Sequence, residues 1–410
     1  MYEQISEELR MVGDSLLSFI ASEVVPLERE NAKLLASERT IYDERGFLAP
    51  QIRELRGQIR RKSAEAGFYT MLGSASLGGG GLGATAAVYL HELLARTVGP
   101  GRILIHYIVI PSMFTNGLSP VLEYLDPGIR NEYVPLLQRG EKTTCFALSE
   151  PDAGSDVYGI KTTAVRDGDS WVLSGSKQWI SNAAHADYAM VFAVTDREKV
   201  SRRKGGITAF FVDTKSEGFS VTSVIPVMGH LGGEQGIIAL DSVRVPDNQR
   251  LGEIDQGLIV AMHGINAGRL GVAGSCLGYA QWGLKLATEY AKARRTFGKS
   301  IAEHQAIQIH LAEAAMDLFA AKSLVMNCAA RLDKGCEGRA EIAIAKAYAT
   351  EMLSRVIDHS MQVHGGMGMT NEVGLEMLYR DARAMRVYDG TSEIQRRTIA
   401  LELLNDSLVF

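Results

Sequence analysis

Proline inside a helix removes a backbone hydrogen bond and crowds the preceding turn, and its distribution here is lopsided. All ten prolines of the 410-residue chain lie at or before Pro246, so 247–410 carries none. A stretch of that length permits several long helices, and its residues agree. The segment 270–294 is rich in Ala, Leu and Gly, with few β-branched residues. Between 304 and 331, Ile307, Leu311, Ala315, Leu318 and Leu324 recur near helical spacing. The segment 341–362 continues in the same manner, so this last part reads as all helix.

The first part also reads helical. Segments 5–25 and 52–66 show a 3.6-residue period, and 85–97 follows a glycine run that ends a turn. The middle differs. Segments 161–165 and 170–174 alternate and flank Asp167-Gly168, a two-residue hairpin signal. Short β-rich runs follow at 188–194, 207–213, 219–224 and 236–245. Such spacing suggests a small barrel or sandwich. The expectation is a mainly α fold with a central β domain: a helical domain over 1–142, a β-barrel domain over 143–247 and a helical bundle over 248–410.

Composition narrows the function classes. Asp and Glu number 48 against 43 Lys and Arg, a net charge of −5, whereas nucleic-acid binding asks for a basic face. The longest apolar stretch, 103–114, is broken by His106 and Pro111 and falls short of a membrane span. MYEQISEELR has neither a basic nor an apolar signal region, so the expected location is cytoplasmic. Cys145, Cys276, Cys328 and Cys336 stand apart without a C-x-x-C pair and read as buried thiols rather than a disulfide framework or metal site. Arg202-Arg203-Lys204, before two glycines, reads as a solvated hairpin tip.

Four segments are candidates for chemistry. CFALSEPDAGSDVYG, at 145–159, groups Ser149, Glu150, Ser155 and Asp156 around Gly154. Such a turn forms an anion-tolerant rim, or a domain-linking turn stiffened by Pro151. KQWISN, at 177–182, sets Trp179 among hydroxyl and amide groups. That suits a flat heteroaromatic ligand, or a core tryptophan. QVHGGMG, at 362–368, interrupts a helix and allows close backbone approach to a phosphate or a neighbouring chain. It lacks the strand–GxGxxG–helix context of a nicotinamide site. In VYDGTSEIQR, at 387–396, Asp389 placed in an apolar core would have a raised pKa and could act as a general base, or it is one more of the 48 acidic residues, most of which are solvated.

Together these segments resemble the acyl-CoA dehydrogenase family across nearly the whole chain. ALSEPDAGSDVYG and QVHGGMGMTNE fit two family motifs, and ARRTFGKSIAEHQAIQ and YDGTSEIQR fit two further blocks in the same order. The resemblance implies FAD, an acyl-CoA substrate, an electron-transfer flavoprotein or similar acceptor, and a homotetramer built as a dimer of dimers. It implies that Leu148, Ser149, Ser155, Trp179 and Ser181 line the flavin and its ribityl arm, with Thr391 and Glu393 as later cofactor contacts. Arg294, Phe297, Gln305, Gln362 and Gly366 match residues that reach the FAD of a neighbouring subunit. Ser155, Arg269, Tyr388 and Gly390 fall to the substrate. The implied chemistry is α,β-dehydrogenation, with a base taking the α-proton while the β-hydrogen leaves as hydride to flavin N5.

The base is where the sequence departs from the pattern. Most members carry Glu before Gly-Thr, and here the residue is Asp389; the alternative position on an earlier helix is Gly268. Aspartate at this position occurs in members acting on cyclic acyl-CoAs and in the related nitroalkane oxidases. A flavin oxidase, acting on nitroalkanes or carrier-bound acyl groups, and a catalytically silent flavoprotein or interaction module are the competing readings. Smaller departures are Gly73-Ser74 for Pro-Glu, Met377 for a basic residue, and His230-Leu231-Gly232-Gly233 in a β-domain loop.

Overall fold

The computed structural model describes residues 5–113, 115–336 and 338–408. Met1–Gln4, where the signal reading begins, and Phe114, at the end of the 103–114 stretch, lie outside them.

The N-terminal helices start at recognisable caps. Helix α1 (Glu7–Phe19) is capped by the Ser6 side chain, which accepts the Leu9 N–H. It runs through a π-helical turn at Ile20–Val24 into α2 (Val25–Glu30), which tolerates Pro26 in its first turn. Short α3 (Glu38–Ile41) precedes α4 (Pro50–Glu65) and α5 (Ala84–Val98). Helix α6 (Pro127–Gln138) has Asp126 as cap and Pro127 in its first turn, and it contains Pro135. Its proline content hid it from the sequence reading.

The middle of the chain forms one eight-stranded sheet in the order β6-β7-β3-β2-β4-β5-β8, with β1 parallel to β4. The strands are β1 (Thr144–Ala147), β2 (Thr163–Asp167), β3 (Ser170–Ser181), β4 (Tyr188–Val194), β5 (Ile207–Asp213), β6 (Phe219–Ile225), β7 (Gln235–Pro246) and β8 (Arg250–Leu251). Strand β4 is buried along its whole length. Tyr188, Met190, Phe192 and Val194 face one core, while Ala189, Val191 and Ala193 face another on the opposite side. The β2–β3 hairpin pairs Asp167 with Ser170, so its two-residue turn is Gly168-Asp169, one position beyond the expected one. Gly168 takes the left-handed φ of +60° that such turns require. The basic run follows α7 (Arg197–Ser201), and its Arg203 pairs with Asp156.

The C-terminal part comprises α8 (Gly257–Ala293), a small β9–β10 hairpin (Arg295–Thr296 and Lys299–Ser300), α9 (Gln305–Asp333), α10 (Arg339–His364), α11 (Leu375–Met385) and α12 (Ser392–Leu404). Helix α8 begins earlier than the sequence suggested. It packs closely on α5 because glycines face the contact. A Cβ on Gly274 would stand 2.5 Å from the Val88 carbonyl oxygen, and one on Gly278 would stand 2.3 Å from that of Glu92. One apolar core therefore unites α1, α4 and α5 with α8 to α11. Cys145, Cys276 and Cys328 are buried, but Cys336 is exposed beyond the end of α9, which corrects the expectation for that thiol. Among the described residues, no helix is long and apolar enough to cross a membrane.

Candidate active site

Asp389 lies in the short link between α11 and α12, and the link is held from three sides. Its backbone is left-handed, with φ of +57°, an uncommon state for a non-glycine residue. Arg269, in the middle of α8, donates from Nε to the Asp389 carbonyl at 2.8 Å. Gln395, one turn into α12, donates Nε2 to the same carbonyl at 3.0 Å and to the Gly390 carbonyl at 3.1 Å. Lys346, fully buried in α10, donates Nζ to the carbonyls of Tyr388 at 2.9 Å and Gly390 at 2.8 Å. Gly390 cannot be replaced cheaply, since its φ is +90° and a Cβ would stand 2.7 Å from Gln395 Nε2. Thr391 then caps α12 by accepting the Ile394 N–H.

These contacts act on the backbone, which leaves the Asp389 carboxyl free to act. Burial raises its pKa to about 6, against the opposing pull of the Lys346 and Arg269 cations. The same burial lowers Lys346 to about 8, so it stays largely an ammonium at neutral pH. A carboxyl of this kind is ionised at pH 7 yet basic enough to accept a proton. Gly268 offers no competing carboxylate on α8.

The other candidates fall into two further groups. Leu148, Ser149, Trp179 and Ser181 gather where β3 bulges between Lys177 and Ile180. Trp179 sits at the bulge with φ of +66° and is 50% exposed, turned out of the sheet rather than into a core. The Ser181 hydroxyl contacts Gln235, and the Ser149 carbonyl accepts the Gln178 N–H. Ser155 is exposed on the following turn. That turn is anchored by Glu150, which accepts the N–H groups of Lys161 and Thr162 and pairs with buried Lys177 at 2.7 Å. The pairing holds the Glu150 carboxyl below its usual range.

Arg294, Phe297, Gln305, Gln362 and Gly366 come together at one end of the bundle, and all five are exposed in the single chain. The end of α8, the start of α9 and the end of α10 meet there through Ala291, Ile301 and Val363. Tyr290 stacks on His364 at 4.4 Å. Phe297 is 96% exposed at the tip of the β9–β10 hairpin. Glu393 is exposed on α12, while Arg269 is buried and Tyr388 and Gly390 are partly so.

Sequence reasoning missed Lys346, Gln395 and the Lys177–Glu150 pair. Lys346 left a signal: it is a lone charge inside the alanine-rich run IAIAKAYA. A lysine in an apolar stripe must find acceptors, here the carbonyls beside Asp389. The other two left none beyond their motifs.

Comparison with known proteins fits this geometry. Residues 145–243 match the acyl-CoA dehydrogenase middle domain, and residues 255–404 match the acyl-CoA dehydrogenase C-terminal domain. The caffeyl-CoA reductase–Etf complex subunit CarC of Acetobacterium woodii is 39% identical, over 85% of this chain and 89% of its own length. The (R)-benzylsuccinyl-CoA dehydrogenase of Thauera aromatica is 33% identical over 99% and 98%. A crystal structure of the acyl-CoA dehydrogenase from Geobacillus kaustophilus superposes with a TM-score of 0.83 at 27% identity, covering 98% of this chain and 99% of that one. The molecule is an oxidoreductase of helix–sheet–helix architecture. More narrowly, the chain belongs to the acyl-CoA dehydrogenase family.

Proposed function

We propose that this chain is an FAD-dependent oxidoreductase acting across the α,β bond of a ring-bearing acyl-CoA, with Asp389 as the base and an electron-transfer flavoprotein as electron partner. The observation that carries the reading is the Asp389 carboxyl, its pKa raised to about 6, on a backbone fixed by Arg269, Gln395 and Lys346. Proton transfer needs such a group at a set position, and rigid supports supply that position before substrate arrives. Aspartate is one methylene shorter than glutamate, so the α-carbon must lie nearer the α11–α12 link. A ring on the acyl chain restrains where that carbon sits.

The residues present fit a flavin. Trp179 offers a half-exposed aromatic face at a strained bulge, flanked by the partly buried Ser149 and Ser181 hydroxyls. Arg294 is exposed with no acidic partner among the described residues, which suits a phosphate. FAD, when bound, supplies the two-electron acceptor. The protein's own part is to hold the thioester, exclude water and take the α-proton on the Asp389 carboxylate. Running in reverse, the same carboxyl returns the proton to Cα. Names of relatives support both directions, since one is a caffeyl-CoA reductase and the other a benzylsuccinyl-CoA dehydrogenase. The Etf complex in the first name supports the electron partner. The domain division near 142 and 247, the cofactor contacts and the homotetramer belong to the same reading.

Anaerobic mixing of the purified flavoprotein with straight, branched and ring-bearing acyl-CoAs tests it. Ring-bearing thioesters should bleach the flavin fastest, and reoxidation by air should be slow. Bleaching by none of them, or rapid oxygen consumption, would remove the reading.

A further inference from the structure

The loop between β6 and β7 does more than connect strands. It leaves the sheet and docks between both helical parts. The His230 N–H donates to the Asp381 carboxylate on α11, and the backbone of Gly229 lies against Arg380 and Asp381 too closely for a Cβ. The Gly232 N–H donates to the Tyr42 hydroxyl at 2.8 Å, and Arg56 from α4 donates to the Gly232 carbonyl at 2.8 Å. His230 itself is left-handed, with φ of +58°. Its ring lies over Gly233, where a Cβ would approach Cδ2 to 2.0 Å. So many restraints on one exposed-sequence loop indicate that the position of its histidine matters.

That position is beside the base. The His230 ring lies 6.2 Å from the ring of Tyr388, the residue preceding Asp389, and 6.1 Å from that of Tyr107. Tyr107 is also left-handed, with φ of +62°. The buried Tyr388 hydroxyl stands beside the Tyr107 hydroxyl but makes no well-formed hydrogen bond among the described residues. Neither ring nitrogen of His230 is hydrogen bonded among them either. Burial lowers the His230 pKa, so at neutral pH the imidazole is uncharged and carries one donor and one acceptor. A buried hydroxyl left unpaired is costly, and such groups in a native structure ask for a ligand that satisfies them.

The charges nearby say which ligand. Lys346 already donates to two backbone carbonyls, and Arg269 to the Asp389 carbonyl and the Asn266 side-chain oxygen. The carboxyls of Asp389 and Asp381 would repel an anion. A neutral group that both donates and accepts, carried on an aromatic ring that packs against three rings, meets all of these conditions.

We propose that His230, Tyr107 and Tyr388 form the specificity wall of the acyl site and select acyl groups bearing a hydroxyl-substituted aromatic ring. This rests on the reading of Asp389 as the base of an acyl-CoA oxidoreductase. The test compares anaerobic flavin reduction of the holoenzyme by 3-(4-hydroxyphenyl)propionyl-CoA, 3-phenylpropionyl-CoA and butyryl-CoA. The wild type should favour the hydroxyphenyl over the phenyl thioester by about tenfold in rate over half-saturation, the discrimination one buried hydrogen bond supplies. In Y388F and in H230N, whose asparagine tolerates a left-handed backbone, that ratio should fall to about one, whatever the absolute rate. Flavin content and melting temperature show that each variant is folded. An unchanged ratio in both variants, or a wild type that favours butyryl-CoA, overturns the inference while leaving the acyl-CoA reading intact. Reduction by no thioester overturns both.

Discussion

At the scale of single residues, the Asp389 carboxyl sits in an environment that favours chemistry over stability. Its folded pKa of about 6 lies above the unfolded value. The fold therefore binds its proton more tightly than the unfolded chain does, and stability falls as pH rises from about 4 to 6. Asp389→Asn should thus raise stability at pH 8 by about 1–3 kcal/mol. The gain should shrink as the buffer is taken from pH 6 towards pH 4, as read by denaturant unfolding; a less stable variant at pH 8 would contradict the burial argument. The same substitution should abolish flavin reduction by substrate with FAD retained. In the wild type, kcat/KM should rise with pH through about 6, because the free enzyme must carry the carboxylate. Lys346 behaves oppositely. Lys346→Met leaves the Tyr388 and Gly390 carbonyls without their donor. It should cost about 1–3 kcal/mol, together with a fall in kcat greater than that in FAD content, because the link carrying Asp389 loses its hold.

At the scale of elements, the contact between α5 and α8 rests on missing side chains. Gly274 and Gly278 let the two helix backbones approach, and a Cβ at either would meet a carbonyl oxygen of α5 at 2.5 or 2.3 Å. Gly278→Val should therefore destabilise by roughly 1–3 kcal/mol, the usual cost of overpacking, and lower the melting temperature; an unchanged melting temperature would show that the helices separate freely. The elements also show why some of the fold is readable and some is not. Strands β4 and β5 are read to the residue, because both of their faces are buried and their apolar runs end at turn formers. The first turns of α8 are hidden, since Ile259, Val260 and the glycines in 257–269 do not look helical alone. Packing on the sheet makes them so. Asp389 is legible from its motif and its apolar setting. Its supports Lys346 and Gln395 come from two different helices, and the His230 loop joins it only through tertiary docking, which no local pattern encodes.

At the scale of the whole molecule, the single chain leaves a large apolar surface uncovered. Phe297 is 96% exposed, and on the outer face of α9 Met316 is 71% and Phe319 58% exposed. Isolated apolar residues on a surface are ordinary, but several on one helix, with a fully exposed phenylalanine on the hairpin that precedes it, are the pattern of an interface. Arg294, Gln305, Gln362 and Gly366 stand beside Phe297 at the same end of the bundle. Among the described residues, no hydrogen bond joins them to the Trp179 bulge or to the Asp389 link of their own chain. A cofactor that needs both sets would be gripped only when a second copy brings its bundle end to the first copy's sheet. Assembly and FAD binding should then be linked by mass action. Diluting the holoprotein should release FAD, seen as rising flavin fluorescence, over the same concentration range in which sedimentation shows subunits separating. Arg294→Ala should weaken FAD retention in the intact assembly. Phe297→Ala should shift both transitions together to higher protein concentration. If dissociated subunits keep their flavin, or if the Arg294 variant retains FAD as well as the wild type does, these residues serve no neighbouring site.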